Sequence, residues 1–527
     1  MSPRVLISDE LSPRAVEIFA ERGVAVDNRP GLKADALLQF VGDYDGLAIR
    51  SATKVTAEVL TAGRKLRVVG RAGIGVDNVD LPAASQRGVV VMNTPYGNAI
   101  TTAEHAIALM LALARQIPQA NASTQAGKWE KTRFMGVELD GKTLGVIGCG
   151  NVGSIVVDRA IGLKMRVLVY DPFLASERAA AMGARKAELD ELLAKADFVT
   201  LHTPMTEQTK GMIDARAIAK MRDGARIVNC ARGGLVVEAD LRAALDSGKL
   251  AGAALDVFSE EPARANALFG HPNVICTPHL GASTVEAQEK VAAQIAEQMA
   301  DYLLTGAVTN ALNMPSVTRE EAPKLAPYMK LAEQLGRFAG QITKSDLRSV
   351  SIEYEGHVAS LNTRPVTAAA LLGLLAPSMD SVNMVNAPVV AKARGITVAE
   401  TKVEGGSGDY QTLIRLRWSS ERGARVIAGT LFANQRPRIV HLDGIDIETE
   451  TAPHMLLVQN QDKPGMVGAL GTLLGDAGIN IATFQLGRTA PGGQALALCA
   501  VDSPIPEGLI ARICALPLVT RVLPLRF

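Results

Sequence analysis

Between Lys142 and Thr284 the sequence repeats one pattern, a short run that is apolar at almost every position followed by a stretch with helical spacing: TLGVIG, RVLVYD, ADFVTLHTP, ARIVNC, LAGAALDV and NVICTP. A strand apolar on both faces has no side for water, so it belongs inside a sheet that helices cover above and below. Strands joined through helices run parallel. This segment is therefore constrained to a doubly wound α/β sheet, whose ligands sit in the crevice beyond the carboxyl ends of the strands.

The residues at those ends carry the chemistry. The first run passes through Gly148, Gly150, Asn151, Val152 and Gly153 into a helix. Glycines at this spacing allow a tight turn and let a pyrophosphate approach the positive helix end, although the motif alone also describes an ordinary glycine-rich turn. The next strand ends in Asp171, eighteen residues beyond Gly153, where a carboxylate can bind the ribose hydroxyls of an adenine dinucleotide. An aspartate before Pro172 is also a turn former, but beside the glycines the cofactor reading prevails. Its charge would repel a 2′-phosphate, and the following PFLAS offers no arginine, which favours NAD over NADP.

Later strand ends bring Arg232, then Asp256 and Glu261, then His279. An arginine so placed is as often a surface ion-pair partner as a ligand-binding group. Convergence of these ends on one crevice shifts the balance toward a catalytic set. A histidine suits removal of a hydroxyl proton near neutrality, a carboxylate on its other nitrogen would orient it, and an arginine can clamp a carboxylate. His105 lies on a helix and reads as structural.

With 527 residues the chain exceeds one hydrophobic core and should hold roughly three to five domains. Residues 1–96 alternate short β-like runs with helices, including one opened by Ser12-Pro13 and closed by Gly23. Thr101 to Glu104 reads as a capping box starting a helix to about Gly127. A helix from Val285 to about Leu304 can pack back on the first unit. The expected division is 1–96 with 285–314, then 97–284, 315–452 as an intervening α+β domain, and 453–527 in a βαββαβ, ferredoxin-like order. The net charge of +1 supplies no field to recruit nucleic acid or a membrane. Five cysteines lie far apart with no metal-ligand spacing, and neither a signal peptide nor a bilayer-length apolar run is visible. A cytoplasmic protein without structural metal is expected.

The segments LAIRSATKVT, GRAGIGVDNVD, NTPYGN, GCGNVG, NCARGG, LDVFSEEP, TPHLGAST and DKPGMVG…INI occur in this order. Together they resemble the D-isomer-specific 2-hydroxyacid dehydrogenases, over nearly the whole chain, and among them the long form that oxidises 3-phosphoglycerate. The resemblance implies two Rossmann-like lobes, an intervening domain and a C-terminal ACT domain. It assigns catalysis to Arg232, Glu261 and His279. Cofactor contacts fall on Ile74, Gly148, Gly150, Asn151, Val152, Gly153, Asp171, Thr203, Cys230, Ala231, Arg232, Asp256, His279, Leu280, Gly281 and Ala282. Substrate contacts fall on Arg50, Ser51, Arg71, Gly73 and Asn98, with Lys131 or Arg133 as further cations; Arg133 alone reads better as a solvated charge. L-serine is implied as an effector at Asn460, Asp462 and Asn480, in a homodimer or homotetramer. Two alternatives stay open: a dehydrogenase for an unphosphorylated acid such as glyoxylate or hydroxypyruvate, and a non-catalytic NAD-sensing scaffold.

Overall fold

The structure, a computed structural model, describes residues 2–343, 346–379, 381–403, 405 and 410–527. Its first sheet holds β1 (Arg4–Ile7), β2 (Ala25–Asn28), β3 (Gly46–Ile49), β4 (Val68–Arg71) and β5 (Val90–Met92), all parallel, in the order β2-β1-β3-β4-β5. The second holds β6 (Thr143–Ile147), β7 (Arg166–Tyr170), β8 (Arg185–Lys186), β9 (Phe198–Leu201), β10 (Ala225–Asn229), β11 (Leu250–Leu255) and β12 (Val274–Cys276), in the order β12-β11-β10-β9-β6-β7-β8. Its pairings are parallel throughout. The order reverses between β6 and β9, which opens a crevice there.

The chain passes between the two lobes twice. The helix Ala99–Arg115 buries Ala103, Ala106 and Met110 in one core with Leu144 and Val146 of β6. The helix Val285–Thr305 buries Val291, Ile295 and Met299 in the core of the first sheet, with Val5, Ile7 and Val68. The crossings at 93–98 and 277–284 thus connect the two lobes.

The proposed capping box is not the helix start. The helix begins at Ala99 with Asn98 at its N-cap, and Thr101 lies inside it. Nor does it run to Gly127: Gln116 turns left-handed (φ 51°), and a separate helix spans Ile117–Gln125. Pro118 is the cause. It has no N–H for the Ala114 carbonyl, and that carbonyl accepts instead from Val137 N, at 2.9 Å.

A third, mixed sheet comprises β13 (Leu347–Gly356), β14 (Thr397–Val403), β15 (Thr412–Ser420), β16 (Gly423–Phe432), β17 (Arg436–Leu442) and β18 (Ile445–Thr449), in the order β14-β13-β15-β16-β17-β18. The helices Ala322–Ile342 and Arg364–Leu375 pack on one of its faces. The last sheet is β19 (His454–Gln461), β20 (Ile481–Arg488), β21 (Gln494–Val501) and β22 (Val519–Arg526), ordered β20-β21-β19-β22, with helices Met466–Asp476 and Glu507–Cys514. Alternation divides its two faces. Leu456 and Val458 pack under those helices, while Met455 and Leu457 join the core of the preceding domain. No helix among the described residues is long and apolar enough to cross a membrane.

Candidate active site

The glycine turn sits at the reversal of the second sheet. A Cβ on Gly153 would overlap the Gly148 carbonyl oxygen, and Gly148 itself has φ 88° against the backbone of His202. Those two glycines let the turn close on the sheet. At Gly150, by contrast, a Cβ would meet nothing within 4 Å, so that glycine keeps the approach to the helix open. The helix Asn151–Gly162 starts there with no side-chain cap, leaving its first N–H groups for a ligand. Asp171 closes the arrangement: its carboxylate accepts from Cys149 N and Phe173 N, each at 2.8 Å. This combination fits the pyrophosphate and adenosine ribose of a dinucleotide. Asn151 Nδ2 donates to the Pro95 carbonyl of the lobe crossing, at 2.9 Å. His202, between Thr203 and the end of β9, bonds Thr200 Oγ1 through Nε2 at 2.9 Å, and burial pushes its pKa down to about 4.

Beyond β10, Asn229 shapes the turn Cys230–Arg232 by accepting from Ala231 N at 3.0 Å and donating to Arg232 O at 2.9 Å. The Cys230 thiol is buried, which pushes its pKa upward. Asp256 is fully buried below the next loop and accepts from Thr277 Oγ1 (2.6 Å), Leu280 N (2.7 Å) and Gly281 N (2.8 Å). His105 Nε2 lies 3.2 Å from the same carboxylate. Burial opposes its ionisation, but these donors hold its pKa below the ordinary value. Asp256 thereby fixes the segment from Thr277 to Gly281, on which Leu280, Gly281 and Ala282 follow His279.

His279 has a left-handed backbone, φ 55°, with its N–H bonded to Asp256 O at 2.9 Å. A non-glycine residue in that region is uncommon and occurs often at functional sites. Its Nδ1 lies 2.6 Å from Glu261 Oε2, while Glu261 Oε1 accepts from Phe258 N at 3.0 Å. Partial burial would raise the Glu261 pKa, but His279 and the Phe258 N–H outweigh it and lower it. An ionised Glu261 thus orients the ring, and Nε2 is the nitrogen left to meet a substrate.

The first lobe supplies cations. Arg71 ends β4 and is largely buried; burial, then the charges of Arg232 and Arg50, bring its pKa down to about 10 against support from Asp77 and Asp9. Its Nε is buried with no hydrogen-bond partner. Arg71 is thus buried within reach of two other arginine charges, from both lobes, against two carboxylates, a positive balance that suits an anion. The Arg50 loop is pinned by Asp9, whose carboxylate accepts from Arg50 N (2.7 Å), Ala52 N (3.2 Å) and Thr53 Oγ1 (2.6 Å), so Ser51 is presented beside Arg50. Gly73 N donates to Thr94 Oγ1 at 2.7 Å, and Asn93 Nδ2 bonds the Ile74 carbonyl. Asn98 is buried with its Oδ1 unpartnered. Lys131 and Arg133 share a short 3-10 turn, and Arg133 pairs with Glu130 at 2.9 Å. Asp9, Asp77, Asn229 and the pairing of His105 with the expected Asp256 are not among the residues read from the sequence. Asp9 follows β1 and Asn229 closes β10, positions that carry a signal; Asp77 acts across 155 residues and leaves no local signal.

The three effector candidates are not brought together within one chain. Asn460 is buried with Oδ1 unpartnered, and Asp462 pairs with Arg488 at 2.8 Å. Gly492 N, then Arg488, lower the Asp462 pKa. Asn480 bonds Asp502 at 2.7 Å. Because β19 and β20 are each antiparallel to β21, they run the same way. Asp462 follows the end of β19, whereas Asn480 precedes the start of β20, about 25 Å off along a strand rising ~3.3 Å per residue.

Comparison with known proteins yields three domain matches: "D-isomer specific 2-hydroxyacid dehydrogenase, NAD binding domain" over residues 107–281, "D-3-phosphoglycerate dehydrogenase intervening domain" over 324–443, and "ACT domain" over 454–518. The D-3-phosphoglycerate dehydrogenase of Synechocystis sp. is 43% identical over 97% of this chain and 92% of its own. That of Bacillus subtilis is 41% identical over 98% of each. Among solved structures, an NAD+-bound 3-phosphoglycerate dehydrogenase from Entamoeba histolytica matches with TM-score 0.51 and 30% identity, covering 59% of this chain and 99% of its own.

Proposed function

Because the chain belongs to the D-3-phosphoglycerate dehydrogenases, within the D-isomer-specific 2-hydroxyacid dehydrogenases, we propose that it oxidises 3-phospho-D-glycerate to 3-phosphohydroxypyruvate, the first step of L-serine biosynthesis. It is an NAD-dependent oxidoreductase. When bound, NAD+ supplies the hydride acceptor. The glycine turn, the N–H groups at Asn151 and Val152, and Asp171 hold that cofactor, with Thr203, Cys230 to Arg232, Ile74 and Leu280 to Ala282 around it. His279 Nε2 takes the hydroxyl proton as the hydride leaves the adjacent carbon, and Glu261 stabilises the imidazolium that results. Arg232 clamps the α-carboxylate and polarises the neighbouring oxygen. Arg50, Arg71 and the segment from Gly73 hold the remaining anionic charge.

The observations that carry this reading are the His279–Glu261 pair, 2.6 Å apart, and a buried Arg71 beside the charges of Arg232 and Arg50, a surplus of positive charge over Asp77 and Asp9. An enzyme for a neutral-tailed hydroxy acid would not need that surplus. Arg50→Ala tests it: kcat/KM for phosphohydroxypyruvate should drop about 100-fold, as for loss of a charged hydrogen-bond partner, with hydroxypyruvate affected far less. Equal losses on both substrates would favour the unphosphorylated acid. No turnover of either with NADH would favour the sensing scaffold.

L-serine is the proposed effector, through the ACT domain. Separation of Asp462 from Asn480 within one chain supports a site completed by a second copy, and hence a homodimer or homotetramer. The five free cysteines agree with a cytoplasmic setting. Serine inhibition that persists unchanged in Asp462→Ala would remove the effector assignment.

A further inference from the structure

Arg232 does not stand alone in the cleft. Its Nε donates to Asp77 Oδ2 at 2.8 Å, across the lobes, and its Nη1 donates to the Ala231 carbonyl at 2.6 Å. Nη2 lies against the first-lobe loop, where a Cβ on Gly75 would overlap it. Gly73 plays the same part for Arg71 Nη1. The neighbour of Asp77, Asn78, donates to the Arg50 carbonyl at 2.9 Å and the Thr53 carbonyl at 2.7 Å. One turn, Asp77-Asn78, thus ties together the elements that bear Arg50, Arg71 and Arg232. Of the two carboxylates supporting Arg71, Asp9 is committed to backbone N–H groups, while the Asp77 side chain is 63% exposed.

We infer that Asp77 is a positioning residue for the oxidoreductase reaction: it fixes the guanidinium of Arg232 against the first-lobe loop in the orientation that clamps the substrate, and its charge tempers the affinity of the arginine cluster for anions. This rests on the reading of Arg232 as the carboxylate clamp. An exposed ion pair contributes little stability, so its loss should show in kinetics and not in folding. Hydrogen bonding and charge separate by substitution. In Asp77→Asn an amide oxygen still accepts from Nε–H, but the negative charge is gone. In Asp77→Ala both are lost.

Steady-state reduction of phosphohydroxypyruvate by NADH, with the full-length wild type, D77N, D77A and R232A, reads this out. D77A should lose about 10- to 100-fold in kcat, the scale of an ångström-level misplacement of a catalytic group. D77N should hold kcat within about threefold and lower KM about fivefold, as expected for removing one solvent-screened charge a few ångströms from an anion. Wild-type kcat in D77A, or kcat in D77N as low as in D77A, overturns the inference. If D77A also loses NADH binding, followed by fluorescence, D77N decides: an unchanged or raised KM overturns it. Full activity in R232A would instead remove the premise, whatever the Asp77 variants do.

Discussion

At the carboxyl ends of its strands the first sheet presents arginine side chains, Arg50 after β3 and Arg71 closing β4, whereas the second presents a glycine turn, an aspartate and an imidazole. Both sheets are parallel and helix-covered, and both leave their strand ends facing the cleft. The difference follows from what each must hold. A dinucleotide is approached by backbone, so Gly148 and Gly153 let the turn close tightly while Gly150 leaves its approach clear of a side chain. A small polyanion is gripped by long cationic side chains, one of them buried at a cost visible in the depressed Arg71 pKa. Substitutions in the first lobe should therefore act on the substrate, and those in the second on chemistry or cofactor.

The largest effect belongs to the second sheet. His279→Gln should lower kcat about 10³-fold, within the usual range for a general base, while NADH binding by fluorescence stays near wild type. Near-normal kcat would break the assignment of proton transfer to this ring. In the first sheet, Arg71→Met should raise KM for phosphohydroxypyruvate about 100-fold and leave NADH affinity unchanged. Because Arg71 Nε is buried without a partner, the thermal midpoint without substrate should hold or rise, the trade expected of a functional buried charge. A lower midpoint with unchanged KM would make Arg71 structural. Within the glycine turn the comparison sharpens to two residues. Gly150→Ala should keep wild-type stability in urea but weaken NADH about tenfold or more, since its Cβ meets no protein atom. Gly153→Ala, whose Cβ overlaps the Gly148 carbonyl, should cost about 1–3 kcal/mol of stability, as overpacking does.

How far these features could be read beforehand depends on how local their cause is. The runs at β6, β7, β9, β10, β11 and β12 declare themselves by composition, as do the glycine turn and the acid closing the next strand. Helix ends were less legible. Thr101-Thr-Ala-Glu104 has the capping-box spacing, yet Asn98 holds the cap because the chain turns there between lobes, a tertiary constraint no short window contains. Pro118 did carry a signal, and it breaks the helix where a missing N–H requires. The largely apolar helix Arg364–Leu375 has little amphipathic rhythm, because it is buried nearly all round. At the site, His279, Glu261 and Arg232 were found by following strand ends to a crevice. Asp77 was not, since its meaning exists only once the lobes face each other. The effector residues show the converse: near-neighbours by motif, Asp462 and Asn480 lie at opposite ends of a sheet because β19 and β20 run in the same direction.

The smallest effect separates the two lobes by pH. The strands of the first sheet contain no histidine, whereas β9 in the second leads into His202. Burial lowers the His202 pKa to about 4 from the ordinary 6.5, so the folded state takes up this proton less readily than the unfolded chain. The corresponding stability is fully present above pH ~6.5 and is lost progressively as pH falls toward ~4. At ~1.4 kcal/mol per pH unit, a partly relaxed site gives a loss of about 2–3 kcal/mol. Carboxylates that titrate lower in this range do so in wild type and His202→Gln alike, so the difference between the two isolates the histidine. Urea midpoints measured from pH 7.5 to 4.5 should converge as pH falls, with the glutamine variant less stable at neutrality and less sensitive to acid. Parallel curves would mean that the ring is protonated in the fold, with solvent reaching the cofactor turn from below, and the contrast between a dry second sheet and a charged first one would fail at that point.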